Sequence, residues 1–259
     1  MIPFPWRRTG RWRCRLGSIL LGCLAVPAAM AGLEIEATRF IYPAQEKSVL
    51  IRVRNTGQHP ILVQTWLDHG EPGQDLSELR LPFILLPPLL RLEPAEKKAL
   101  QLRHTGEALP KDRESVFWIN FLHLPAGQTD DAVLRIALTS VMKVLYRPAG
   151  LPGDPKLAPA QIRWRVLPGS GPKGLAPFLE AQNPTPYTVS LTTVTLSATH
   201  KPVVLKNLNI LPFSTSRFEL PAITAAPRAN GTRLTYEAVD DFGLPAPGSA
   251  TLGLIPEGL

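Results

Sequence analysis

Few side chains in this chain of 259 residues stand where covalent chemistry would need them. The five histidines (His59, His69, His104, His123 and His200) show no zinc-ligand spacing and form no His-x-His pair. There is no Gly-x-Ser-x-Gly elbow and no phosphate-binding loop. No metal, no cofactor and no enzymatic activity is therefore expected. The residues that remain informative do non-covalent work. In Ala132–Pro148, Leu134, Ile136 and Leu138 alternate with Arg135, Ala137 and Thr139, then come Lys143 and Tyr146-Arg147-Pro148. Period two marks a strand with one apolar face. Such a strand either packs into its own core or offers its apolar row to a partner, and the stretch by itself leaves both open.

The elements that would hold this strand are also strands. Leu33–Tyr42, Ser48–Arg54, Ile61–Leu67, Phe83–Leu92, Lys98–His104 and Ser115–Leu124 all carry strand patterns, with turn residues such as Asn55-Thr56-Gly57-Gln58 between them. Pro87-Pro88 interrupts one run, as expected for an edge strand or a switch between sheets. Ser115–Leu124 is almost continuously apolar and reads as a central strand covered on both faces. Leu151–Pro159, rich in proline and glycine, reads as a linker. Strand signals then resume at Gln161–Leu167, Phe178–Gln182, Tyr187–Ala198, Val203–Ile210, Ser216–Leu220, Arg233–Val239 and Ala250–Leu254. No helix of normal length is expected. The fold class is all-β, with seven strands counted in the first domain.

The N-terminal segment reads differently. Arg7, Arg8, Arg11, Arg13 and Arg15 precede an apolar run from Leu16 to Val26, followed by Ala29-Met30-Ala31. This is the pattern of a cleavable secretory signal, with an apolar part too short to span a membrane. Residues 1–31 are assigned to it, with a mature chain from about Gly32. Without those five arginines, 23 Lys and Arg face 21 Asp and Glu, so the formal net charge falls from +7 to about +2, which argues against nucleic acid as a partner. Cys14 and Cys23 also fall in the signal. The exported part must hold together by burial in a compartment that permits disulfides.

Several motifs, taken in order, resemble the periplasmic chaperones of the chaperone–usher pathway. They are Thr38-Arg39; Pro82-Phe83 through Pro87-Pro88 to Arg91-Leu92-Glu93-Pro94; Leu109 to Asn120 with its Arg113-Glu114-Ser115 core; and Lys143 through Tyr146-Arg147-Pro148. Asn183-Pro184-Thr185-Pro186-Tyr187, Pro212-Phe213-Ser214 and Asp240-Asp241-Phe242-Gly243 follow. The resemblance implies two immunoglobulin-like β-sandwich domains, 32–150 and 151–259, set in an L with a cleft between them. It implies a chaperone that binds, folds and caps pilus subunits by donor-strand complementation and hands them to an outer-membrane usher. By that resemblance Arg39 and Lys143 hold the subunit's terminal carboxylate, and Leu134, Ile136 and Leu138 form the donated row. Glu114, Arg147 and Asp241 link the domains, although Asp240 stands where the family usually has Asn. The short loop Pro125–Asp131 matches the short-loop subclass. Self-association of the free protein is a further expectation.

Two details stay open at this level. By strict alternation Lys143 falls on the face opposite Leu134, Ile136 and Leu138, so either a bulge intervenes or both faces are used. The rival reading is a secreted adhesive or structural β-sandwich. A fibre subunit of that kind should lack a closing strand and carry an N-terminal extension, whereas here Leu33 opens a strand just after the signal.

Overall fold

The computed structural model describes residues 32–71, 79–125, 137–167, 176–197, 202–221 and 232–252. The signal segment, Leu134, Ile136 and most of the Pro125–Asp131 loop lie outside the described residues.

Among the described residues the first sandwich contains nine strands: β1 (Leu33–Ile35), β2 (Arg39–Pro43), β3 (Val49–Asn55), β4 (Ile61–Asp68), β5 (Phe83–Leu86), β6 (Leu89–Leu92), β7 (Lys97–His104), β8 (Ser115–Pro125) and β9 (Leu138–Arg147). One sheet runs β1-β3-β7-β5, the other β2-β9-β8-β4-β6. Between them lie Ile51, Val53, Val63, Leu92, Leu100, Leu102, Ile119, Phe121 and Val144, each nearly or fully buried. Every such Leu or Ile contributes about 1.5–3 kcal/mol, and with no cysteine in these strands that burial holds the fold.

The count exceeds seven because the chain changes sheets twice. At Pro87-Pro88, β5 ends on β7 and β6 begins on β4, the sheet switch that the two prolines allow. The opening segment, read as one strand, is split in the same way: β1 pairs with β3, while β2 pairs with β9. The core-facing positions change from odd (Leu33, Ile35, Ala37) to even (Phe40, Tyr42) across the switch, but no proline or glycine marks the point. β8 is central, flanked by β4 and β9. Its odd-numbered face (Phe117, Ile119, Phe121) is core, whereas Val116, Trp118 and Leu122 on the other face are only half-buried.

Between the sandwiches, the expected linker contains a short 3-10 helix, Pro155–Gln161, whose first turn is capped by Asp154 accepting from the Lys156 amide at 2.9 Å. The second sandwich comprises β10 (Arg163–Leu167), β11 (Phe178–Gln182), β12 (Val189–Leu196), β13 (Val203–Ile210), β14 (Thr215–Glu219), β15 (Arg233–Val239) and β16 (Pro245–Thr251). Its sheets run β10-β11-β14 and β13-β12-β15-β16 around Trp164, Leu179, Val194, Leu196, Ile210 and Leu234. β16 lies upstream of the expected Ala250–Leu254. Its Pro-Ala-Pro-Gly-Ser-Ala-Thr sequence has no apolar alternation, and as an edge strand that, among the described residues, pairs with β15 alone it tolerates two prolines.

Candidate functional site

β2 and β9 run parallel, and Arg39 is the register partner of Lys143. Side chains on neighbouring strands at one register point to the same face, so the two cations project together. They do so on the face opposite Phe40, Met142 and Val144, which belong to the core, and they line a cleft of about 450 Å³ with Thr38, Trp118, Ser190, Thr192, Asn209 and Gly243. The second sandwich supplies the far wall through β12 and β13.

Arg39 is 7% exposed. Its Nη1 donates to the Val239 carbonyl at 2.8 Å, while its buried Nε has no partner among the described residues. Burial pulls the guanidinium below its ordinary range, against the attraction of Asp241, Asp240 and Glu114. Lys143 Nζ donates to Ser190 Oγ at 2.7 Å and to Asn209 Oδ1, and lies 5.1 Å from the centre of the Trp118 ring. Burial first, then the neighbouring Arg39 charge, brings its pKa down to about 7. Held side by side at the wall of the cleft, the two cations can offer an anion directed donors from the guanidinium and a compact charge from the ammonium.

Beside the cleft sits an ionic cluster. Arg147 Nε donates to Glu114 Oε1 at 2.6 Å, and Nη1 and Nη2 donate to the two oxygens of Asp241 at 2.6 and 2.8 Å. Glu114 Oε2 accepts from the Thr188 amide at 2.7 Å, and the Glu114 amide donates to the Pro186 carbonyl at 2.9 Å. Glu114 and Arg147 come from the first sandwich; Asp241, Pro186 and Thr188 come from the second. The Asn183–Tyr187 segment is itself pinned. Asn183 Nδ2 donates to the carbonyls of Tyr187 and Leu211, and Asn183 Oδ1 accepts from the Thr185 amide. Burial pushes the Glu114 carboxyl up although Arg147 and the Thr188 amide pull it down. For Arg147, burial opposes the charge, but the bonds to Asp241 and Glu114 outweigh it and raise the guanidinium. We take the cluster as charged, because the bidentate Arg147–Asp241 pair has near-ideal geometry.

The expected residues thus fall into three positions. Arg39 and Lys143 share one cleft, and Glu114, Arg147 and Asp241 are bonded together. Leu138 is 46% exposed, while Leu134 and Ile136 lie outside the described residues. From Ser115↔Tyr146 to His123↔Leu138 the β8–β9 register is unbroken, so no bulge separates Leu138 from Lys143, and they occupy opposite faces of β9. Sequence reasoning missed Ser190, Asn209 and Trp118. Trp118 stood inside the Leu109–Asn120 motif without a role of its own; Ser190 and Asn209 belong to no motif and lie 47 and 66 positions from Lys143. Among the described residues no group of three His, Cys, Asp or Glu is arranged to hold a metal.

Comparison with known proteins gives the same two-part division. Residues 32–152 match "Pili and flagellar-assembly chaperone, PapD N-terminal domain", and residues 157–250 match "Pili assembly chaperone PapD, C-terminal domain". "Probable fimbrial chaperone YadV" of Escherichia coli K12 is 35% identical over 237 residues, 89% of this chain and 94% of its own length. The crystal structure of YadV chaperone superposes with a TM-score of 0.70 at 34% identity, covering 85% of this chain and 99% of the other. A chain of the Salmonella enterica complex between SafA pilin and SafB chaperone superposes at 0.68 and 26% identity, covering 86% and 97%. With both domains matched and relatives of this identity over nearly their whole length, the chain belongs to the family of periplasmic pilus-assembly chaperones with PapD-like N- and C-terminal domains.

Proposed function

We propose that this protein captures pilus subunits by lending them the stretch that leads into β9, with Leu134, Ile136 and Leu138 as its apolar row and with Arg39 and Lys143 anchoring the subunit's terminal carboxylate. The observation that carries this reading is the Arg39↔Lys143 rung at the wall of the cleft. A strand added to an open sheet edge gains main-chain hydrogen bonds at any register, and a period-two surface slips easily. A fixed carboxylate at one end removes that freedom. Residues Leu134, Ile136 and Leu138 then meet the subunit's open core in one register, and an edge that would otherwise template aggregation is covered. Donor-strand complementation between chaperones and pilins is a known instance of such strand addition. The capture of pilins by relatives, as in the SafA–SafB complex, supports the same partner class here.

The Glu114–Arg147–Asp241 cluster acts as a brace between the sandwiches, keeping the cleft walls at one separation. Export through the segment ending near Ala31, delivery of the captured subunit to an outer-membrane usher, and pairing of free copies to hide the donor strand complete the reading. Co-purification from periplasm tests it, comparing wild type with an Arg39→Ala/Lys143→Ala double variant and identifying companions by mass spectrometry. Small β-rich subunits that accompany wild type and not the variant are the expected result. Equal recovery with both proteins would discard the carboxylate anchor.

A further inference from the structure

Lys143 belongs to the first sandwich, yet its ammonium is held by the second. Both of its acceptors, Ser190 Oγ and Asn209 Oδ1, come from one rung, since Ser190 on β12 and Asn209 on β13 are direct register partners.

The rung faces away from the core by plain alternation: Ser190 lies between Val189 and Leu191, and Asn209 between Leu208 and Ile210, all four of them core residues. Past the rung the phase changes, because Val194 and Leu196 on β12, and Val203 and Leu205 on β13, have the other parity and still pack into the core. Both strands skip at the same level. β12 shifts by one against β15 between Leu191 and Thr193, and across from it Asn207 adopts φ +56°. Thr192 Oγ1 is held by bonding to the Glu237 carbonyl and carboxylate at 3.2 and 2.9 Å. A bulge re-aims side chains, and a non-glycine residue in the left-handed region is a local cost that persists only where the surroundings enforce it. Both irregular residues line the cleft. They let both strands keep a core-facing row on either side of the irregularity while the Ser190–Asn209 rung meets Lys143.

We propose that Asn209 and Ser190 are positioning residues of the anion site, holding the Lys143 ammonium aimed into the cleft. Both are neutral acceptors, so they orient the cation without cancelling its charge. An ammonium has three donors; two are engaged here, and the third remains for the incoming carboxylate. The Trp118 ring also lies against the ammonium, its centre 5.1 Å away. Asn209 also carries an amide N–H₂ that can donate to the second carboxylate oxygen. The ligand class is a peptide's terminal carboxylate, so this inference rests on the anchor reading above.

The test uses the mature chain with ¹⁵N-labelled lysine at pH 6, and a strand-length peptide of alternating threonine and valine in free-acid and amidated forms. In wild type, the Lys143 Nζ protons should exchange slowly, and the acid peptide should bind at least about tenfold tighter than the amide. Asn209→Ala and Ser190→Ala should each speed that proton exchange and shrink the preference. Asn209→Asp places a carboxylate on Lys143 in advance, so it should abolish the preference for the acid over the amide. Backbone amide spectra of β15 and β16 serve as the check on folding. Unaltered Nζ exchange in both alanine variants, or a full acid preference in Asn209→Asp, overturns the inference. A wild type that binds acid and amide alike removes the carboxylate anchor instead, while the Nζ exchange still decides whether Asn209 and Ser190 hold the cation.

Discussion

Arg39 and Lys143 face one another across the parallel pair β2–β9, two positive charges on a single rung with no carboxylate bonded to Lys143 among the described residues. Such a pair is mutually unfavourable, and the neighbouring Arg39 charge contributes to bringing Lys143 to a pKa of about 7. In the unfolded chain this lysine holds its proton to about its ordinary 10.5. The folded protein therefore binds fewer protons than the unfolded one between those values, and stability rises with pH across that window. Below pH 7 the full cost of the buried ammonium is present. Replacing Lys143 with Met should accordingly raise the melting temperature at pH 6, by about 2–4 °C for each kcal/mol relieved, while capture is lost. A destabilised Lys143→Met protein would contradict this.

A bound carboxylate restores the lysine's charge. Capture measured by calorimetry should weaken as pH rises above about 7, by up to about tenfold per pH unit, with proton uptake on binding at pH 8. Affinity flat from pH 6 to 9 would mean that the ammonium is not part of the anchor.

Removing Arg147 strands Glu114, whose side chain is 1% exposed, as an unpaired buried carboxylate. Arg147→Ala should cost about 3–5 kcal/mol in urea unfolding. Adding Glu114→Gln to it should recover part of that loss, because the amide needs no counter-charge. Simple additivity of the two would show that the pair is not coupled.

Leu138 is half-exposed and outside the core cluster. Leu138→Asp should change stability by no more than about 0.5 kcal/mol and abolish subunit co-purification. Unimpaired capture would take Leu138 out of the donated row.

Gly243 sits at φ +83°, and a Cβ there would meet Thr38 Oγ1 across the cleft at 2.6 Å. Gly243→Ala is expected to lose about 1–2 kcal/mol from the left-handed backbone and to weaken capture by prising the two walls apart. Unfolding in urea and the same co-purification read both effects.

Most of the architecture was legible because each sandwich strand has one wet and one dry face, and that alternation survives in the sequence at Val49–Asn55 or Ile61–Asp68 as a plain period of two. Pro87-Pro88 marked its sheet switch through proline's missing donor. The switch between β1 and β2 carried no such mark, and β16 carried no apolar row. The resemblance placed Arg39, Lys143, Glu114, Arg147 and Asp241 through local motifs. Ser190 and Asn209 were invisible for a physical reason: each is a neutral residue that simply alternates with core positions on its own strand, and they meet Lys143 only after two domains have folded against each other.

The pairing of β2 with β9 has a kinetic consequence. β2 is near the beginning of the first sandwich and β9 is its last strand, so the two cations are separated by about a hundred residues of chain. Contacts of such sequence separation form late, after the loop between them has been closed. A chain still unfolded, or one truncated before β9, lacks the paired cations. With the proposed anchor, the protein cannot engage a subunit until its own first domain is finished, which keeps an immature copy from trapping subunits it could not yet shelter.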